Sequence, residues 1–153
     1  QTRAFFIGRG FTRAMADEIA RSCVFQSILR NRGPGVESPE MGIDLGTWRL
    51  DPGDGPRPIA LKEPWDERFA AAGVSDAARI AFRWSTFPTE QTFRGGDCNW
   101  GMFSLGVEPG SQFDLSLAWT LDGAPRKATI EGVTCATEET QDGAPDDAPT
   151  AVD

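Results

Sequence analysis

The sequence predicts a mainly β chain: an antiparallel β-sandwich of immunoglobulin-like type, with one long N-terminal helix packed on it and a short crossover helix. Three observations lead there. Two stretches in the second half alternate apolar and polar residues with period two, the pattern of half-buried strands. Asp122-Gly123 then follows the second stretch as a hairpin turn into a returning strand, because both residue types tolerate positive φ. Finally, the longest helical spacing lies near the start, where Ala16, Ile19, Ala20 and Cys23 fall on one face with Met15 and Val24 at its edges.

In chain order, the long helix is expected over 12–32. Thr12 caps its start, Arg30 and Arg32 suit its C-terminal dipole, and Gly33-Pro34-Gly35 stops it. Cys23 then lies within the apolar stripe, which favours a structural sulfur over a reactive one. A strand is expected from Ile43 to Leu50, with a bulge at Gly46 where the alternation changes phase. The short run Ile59-Ala60-Leu61 reads as another strand. Pro64 to Ala72 reads as the crossover helix, ended by Gly73, with Trp65 and Phe69 four residues apart on one face.

The strongest alternation belongs to two runs, Ile80, Phe82 and Trp84, and then Phe113, Leu115, Leu117, Trp119 and Leu121. Both are expected as strands, with Trp84 and Trp119 in the core. Glu108-Pro109-Gly110-Ser111 is a tight turn between Met102–Val107 and the longer of these strands. The returning strand, Lys127 to Cys135, needs a bulge at Gly132 if Ile130 and Val133 are both to face inward. Residues 1–136 are expected to form one domain, followed by an acidic Pro/Ala/Asp tail at 137–153. That tail has almost nothing to bury and should stay disordered unless a partner orders it.

Charge follows the same division. The chain carries 15 basic and 23 acidic residues, a net charge of −8, but six acids and no base fall within 138–153, leaving the rest at −2. This balance argues against nucleic acid as a partner, which is bound by phosphate neutralisation. The first 33 residues run the other way, with Arg3, Arg9, Arg13, Arg21, Arg30 and Arg32 against Asp17 and Glu18: a solvated helix face, or a docking surface for an acidic partner. No apolar run reaches 18 residues, so no transmembrane segment is expected, which leaves room for a membrane-associated complex.

The three cysteines, Cys23, Cys98 and Cys135, match no zinc or redox spacing. One disulfide and one odd thiol account for them most simply, and Cys23 with Cys135 is the favoured pair, since it would fasten the helix to the last strand. Cys98 is the rival partner. A disulfide points to an oxidising compartment, periplasmic or extracellular, as does a start at Gln1 instead of Met, although a shortened sequence would begin the same way.

Histidine and tyrosine are both absent. The first absence removes Ser-His-Asp and Cys-His nucleophile systems and the commonest transition-metal ligand. No glycine loop has the continuation that cradles phosphate, and no cofactor is implied. Paired carboxylates remain as a route to glycoside hydrolysis, with Asp44, Asp66, Glu67, Asp97 and Asp114 available.

The densest unusual segment is Gly95 to Met102. It reads first as a glycine-bearing loop in which Asp97 or Asn99 supports the turn and Trp100 folds over a sheet edge. Its sharper reading makes Cys98 and Met102 soft metal ligands for copper(I), or the loop a small-ligand site. Trp65, Asp97, Asn99 and Trp100 are the candidate interaction residues. The functional expectation is a non-enzymatic exported interaction module, an accessory subunit of a larger protein complex; the alternatives are the soft-metal or small-ligand binder and, third, the carboxylate hydrolase.

Overall fold

The computed structural model describes residues 1–137, and the acidic segment 138–153 lies outside the described residues. The described chain is mainly β, built from antiparallel sheets with several helices. Helix α1 spans Thr2–Ile7 and buries Phe6. The chain reverses at Gly10 and enters α2, Arg13–Ala20, whose cap is Thr12: its hydroxyl accepts from the Met15 N–H at 3.3 Å. Ala16, Ile19 and Ala20 are buried, as the apolar stripe requires.

The expected helix over 12–32 ends here, twelve residues early. Cys23 takes a left-handed φ of 58°, and Val24–Arg30 forms strand β1. The run Val-Phe-Gln-Ser-Ile-Leu-Arg satisfies helical and strand spacing alike, and its aromatic and β-branched content fits a pleated, half-buried surface. Pairing decides the matter: all seven residues lie opposite Cys98–Ser104, strand β6, in an antiparallel ribbon.

The second sheet has six strands. Its spine is β7, Gln112–Leu121, which pairs along one edge with β8, Ala124–Thr134, through the Asp122-Gly123 turn, both residues at positive φ. The other edge of β7 is shared by β2, Met41–Asp44, near its end and β3, Arg49–Asp51, near its start. A 3₁₀ turn, Leu45–Thr47, separates those two strands where a bulge at Gly46 is expected from sequence; Asp44 caps it by accepting from the Gly46 N–H at 2.8 Å. The Trp48 indole bridges the gap by donating to the Ala118 carbonyl at 3.0 Å. Strand β4, Arg57–Pro58, flanks β3, and β5, Glu90–Phe93, flanks β2.

Between β4 and β5 run two helices, α3, Lys62–Ala71, and α4, Asp76–Ser85. The first covers the segment where the sequence places a short helix over Pro64 to Ala72. The second replaces the strand expected at Ile80–Trp84. Ser75 caps it, accepting from the Ala78 N–H at 3.2 Å, and Ala78, Phe82 and Ser85 form its buried side. Period-two and period-3.6 patterns coincide at Phe82 but diverge at its neighbours, so Ile80 and Trp84, expected inside, lie outside.

Two apolar clusters result, and the β1–β6 ribbon stands between them. Phe25, Leu29 and Phe103 face the six-stranded sheet, where Phe103 meets Trp48 edge-to-face at 5.5 Å. Val24 and Met102, of the opposite parity, face the helices with Phe6, Phe11, Phe69 and Phe82. The sheets divide into two and six strands, whereas an immunoglobulin constant domain divides four and three. Cys23 and Cys135 are bonded, with Cα atoms 5.6 Å apart, tying the α2–β1 junction to the end of β8.

The bulge expected at Gly132 is present. Phe113 faces Val133 and Leu115 faces Ile130, so Asp114 opposes two residues, and its carboxylate accepts from the Gly132 N–H at 2.9 Å. Gly132 holds φ at 65° to make the offset. Gly132→Ala is therefore expected to lower stability by about 1 kcal/mol, readable as a urea midpoint shift with unchanged slope.

Candidate docking surface

The helices cover one end of the ribbon and leave the other exposed. At the Val24 and Met102 end its outer face is roofed by the helical cluster, and Met102 is 1 % exposed. Further along, the roof ends. Ile28 and Trp100 lie directly opposite each other there, 62 % and 50 % exposed. Parity puts Arg30 and Cys98 on the same face, one pair further out.

Helix α4 extends this surface. A parallel bridge joins Thr86 to Met102, so the end of α4 runs beside β6 with each indole two residues back from the bridge. Trp84 is 84 % exposed, and Ile80, one helical turn earlier on the same side, is also exposed. Isolated exposed apolar residues are ordinary, but here they come in two pairs on adjoining elements, Ile28 with Trp100 on the ribbon and Ile80 with Trp84 on α4. None of Ile28, Ile80 and Trp84 is a sequence-derived interaction residue: Ile80 and Trp84 belong to an expected strand, with Trp84 in its core, and Ile28 lies within the segment expected as the long helix. The signal that could have found Ile80 and Trp84 is the Ser75-Asp76 start of a helix, which sets the phase of everything after it.

The sequence-derived site residues scatter over several environments. Asp97 closes the turn before β6 by accepting from the Arg94 N–H at 2.8 Å, and Asn99 donates across the strands to the Gln91 side chain at 2.9 Å. Trp65, expected at the surface, is 8 % exposed: it stacks on Phe69 beneath the Arg68 guanidinium, 4.8 Å from its ring. That corrects the expectation that Trp65 lies at the surface.

The copper pairing also needs correction. Cys98 and Met102 are not in a flexible loop but four residues apart on one strand, a separation of about 13 Å. Cys98 is exposed, while the Met102 thioether is packed among phenylalanines. One ion cannot be held by both. Among the described residues no three His, Cys, Asp or Glu side chains gather as a metal site.

Two grooves have acids among their lining residues. One, of about 850 Å³, lies between α2, α3 and the 106–108 loop; its Asp17 and Glu18 accept from Arg3 and Arg68 respectively, so both carboxylates are engaged. The other lies across β2, β5 and the β7–β8 hairpin, where Asp44 and Glu90 sit directly opposite each other.

Asp66 is the acid with the firmest hold. Arg79 donates to both its oxygens at 3.0 Å, which lowers its pKa below the ordinary value of 3.8; partial burial opposes this, and Arg83 at 3.0–3.1 Å adds to the lowering. The pair ties α3 to α4. Since the folded-state pKa lies below the unfolded one, the stabilisation is complete above pH 3.8 and disappears as pH falls through the folded value. Asp66→Asn should therefore flatten the acid limb of the stability curve below about pH 4, as followed by circular dichroism. An unchanged limb would mean the pair contributes nothing to acid sensitivity.

No helix among the described residues is long and apolar enough to cross a membrane. No protein-family model, curated protein or solved structure matches the chain.

Proposed function

We propose that this chain is a non-enzymatic interaction module of an oxidising compartment, periplasmic or extracellular, serving as an accessory subunit of a larger protein complex. Its two sheets form a sandwich that displays the β1–β6 ribbon, and the docking surface is the patch of Ile28, Ile80, Trp84 and Trp100. The observation that carries this reading is the exposure of two apolar pairs on adjoining elements, Ile28 opposite Trp100 on the ribbon and Ile80 one turn from Trp84 on α4. Tryptophan dominates binding energy at protein interfaces because a rigid ring removes much apolar area from water at low entropic cost. The Cys23–Cys135 bond supports the compartment.

The catalytic alternative has less to rest on. Without histidine, acid–base chemistry falls to carboxylates, and those of Asp17, Glu18 and Asp66 already accept from arginines. Site-specific photo-crosslinking in the producing cell tests the docking reading. A photoreactive residue at Trp84 or Trp100 should give an adduct of discrete mass with another protein, and one at Thr129 on β8 should not. Absence of adducts at 84 and 100, or equal labelling at all three positions, would overturn it.

A further inference from the structure

A sheet edge is a row of unpaired N–H and C=O groups, and proteins blunt such edges with short strands, proline, lysine or bulges. Three edges here are blunted. Strand β4 is two residues long and ends in Pro58; β5 has four residues and begins with Glu90. On β8 the two-residue turn makes Leu121 and Ala124 a hydrogen-bonded pair, so alternate residues Pro125, Lys127 and Thr129 turn their backbone groups outward. Pro125 has no N–H to offer there, Lys127 adds a charge, and the bulge at Gly132 twists the remainder.

Strand β1 is the exception. The Asn31 N–H donates to the Asp97 carbonyl and the Leu105 N–H to the Cys23 carbonyl, so residues 23, 25, 27, 29 and 31 bond inward to β6. By alternation, Val24, Gln26, Ile28 and Arg30 present their backbone groups to the open edge. Among the described residues nothing hydrogen-bonds to them. The strand contains no proline, no lysine and no bulge, and its only charge is the terminal Arg30.

We infer that β1 is an assembly edge, and that its occupant is the β1 strand of a second copy of this chain, paired antiparallel about a two-fold axis with Ile28 opposite Ile28. The side chains select both occupant and register. With Ile28 on the axis, Arg30 of each copy lies opposite Gln26 of the other, so no like charges meet and the guanidinium gains an amide acceptor. On the exposed face, Trp100, Ile28 and their two symmetry equivalents form one apolar row across four strands. Half-buried Ser27 and Leu29 face each other across the axis on the opposite side. A two-fold contact is self-complementary and closes without further growth. The inference rests on the docking reading in one respect: the dimer makes the two patches a single platform for a partner.

The full chain should sediment as a dimer that dissociates on dilution. Ile28→Lys places two charges on the axis and should give a folded monomer with unchanged circular dichroism. In a Cys98→Ser background, Ile28→Cys should form a disulfide-linked dimer under mild oxidation, since Cα atoms of a hydrogen-bonded pair lie about 5.5 Å apart. Gln26→Cys is the control: its two copies would be about 13 Å apart along the strands and should link at least tenfold more slowly. A monomer at every concentration, a dimer that survives Ile28→Lys, or equal linking at 26 and 28 would overturn the inference. A monomeric chain that still gives adducts at Trp84 would sink the dimer alone; a dimer without such adducts would sink the docking reading alone.

Discussion

Phe82→Ala is expected to cost about 3–5 kcal/mol, whereas Trp84→Ala, two residues away, should cost less than about 0.5 kcal/mol. Phe82 is 3 % exposed, and its ring lies 5.1 Å from Phe69, 5.8 Å from Phe6 and 6.3 Å from Phe11. It joins α1, α3 and α4, so its removal opens a cavity that three elements must collapse to fill. Trp84 projects from the far side of α4 with most of its surface already in water. A loss of this size at Phe82 is a substantial part of the 5–15 kcal/mol that holds a typical domain together. Urea unfolding followed by far-ultraviolet circular dichroism reads both variants. Similar midpoints would mean that Phe82 and Trp84 share one environment, as the strand reading of this segment requires and α4 does not. The contrast also makes Trp84→Ala a clean functional variant, able to remove docking without removing the fold.

That pair shows where sequence reasoning succeeds and where it fails. The β7–β8 hairpin was legible because Asp122-Gly123 sets the register locally and the flanking alternation continues for ten residues. The bulge at Gly132 was legible for a similar reason, since two apolar residues of opposite phase needed one extra residue between them. The β1 strand was not. Phe25, Ile28 and Leu29 fit a helical face as well as a strand, and the deciding partner, β6, is some seventy residues distant in sequence.

At α4 the apolar alternation was real but incidental, and the Ser75 cap outweighed it. These two differences hide most of the proposed docking surface from the sequence, because the exposure of Ile28, Ile80 and Trp84 follows from the identity of their elements. Of the four residues there, Trp100 alone has its exposure legible in sequence, since a tryptophan beside a glycine-rich turn has few neighbours to bury it. The burial of Trp65 is hidden from sequence for the converse reason: its short helix has no marked apolar stripe, yet α1, α2 and α4 gather round it and make a second core.

The disulfide carries the other large expected effect. Replacing Cys23 and Cys135 together by alanine should lower stability by about 3–4 kcal/mol, because the bond closes a loop of more than a hundred residues and a longer loop loses more entropy on closure. For a chain of this size that corresponds to a fall of about 10 °C in Tm. Dithiothreitol should produce the same fall in the natural chain, while Cys98→Ser should produce none. Thiol titration supplies the direct count, one reactive thiol in the native chain and three after reduction in denaturant. Three in the untreated native chain would remove the oxidising compartment from the functional proposal.

The effect should also be local. Cys23 holds a left-handed backbone that costs a non-glycine residue about 1–2 kcal/mol, and it sits immediately before β1. Without the bond to Cys135 that turn can relax, and the ribbon loses its anchor to the large sheet at the root of the docking surface. Amide exchange at Phe25 and Ser27, whose N–H groups bond inward to β6, should therefore accelerate more than exchange in the middle of β7. A uniform acceleration across both strands would mean that the disulfide stabilises the fold as a whole and does nothing in particular for the ribbon.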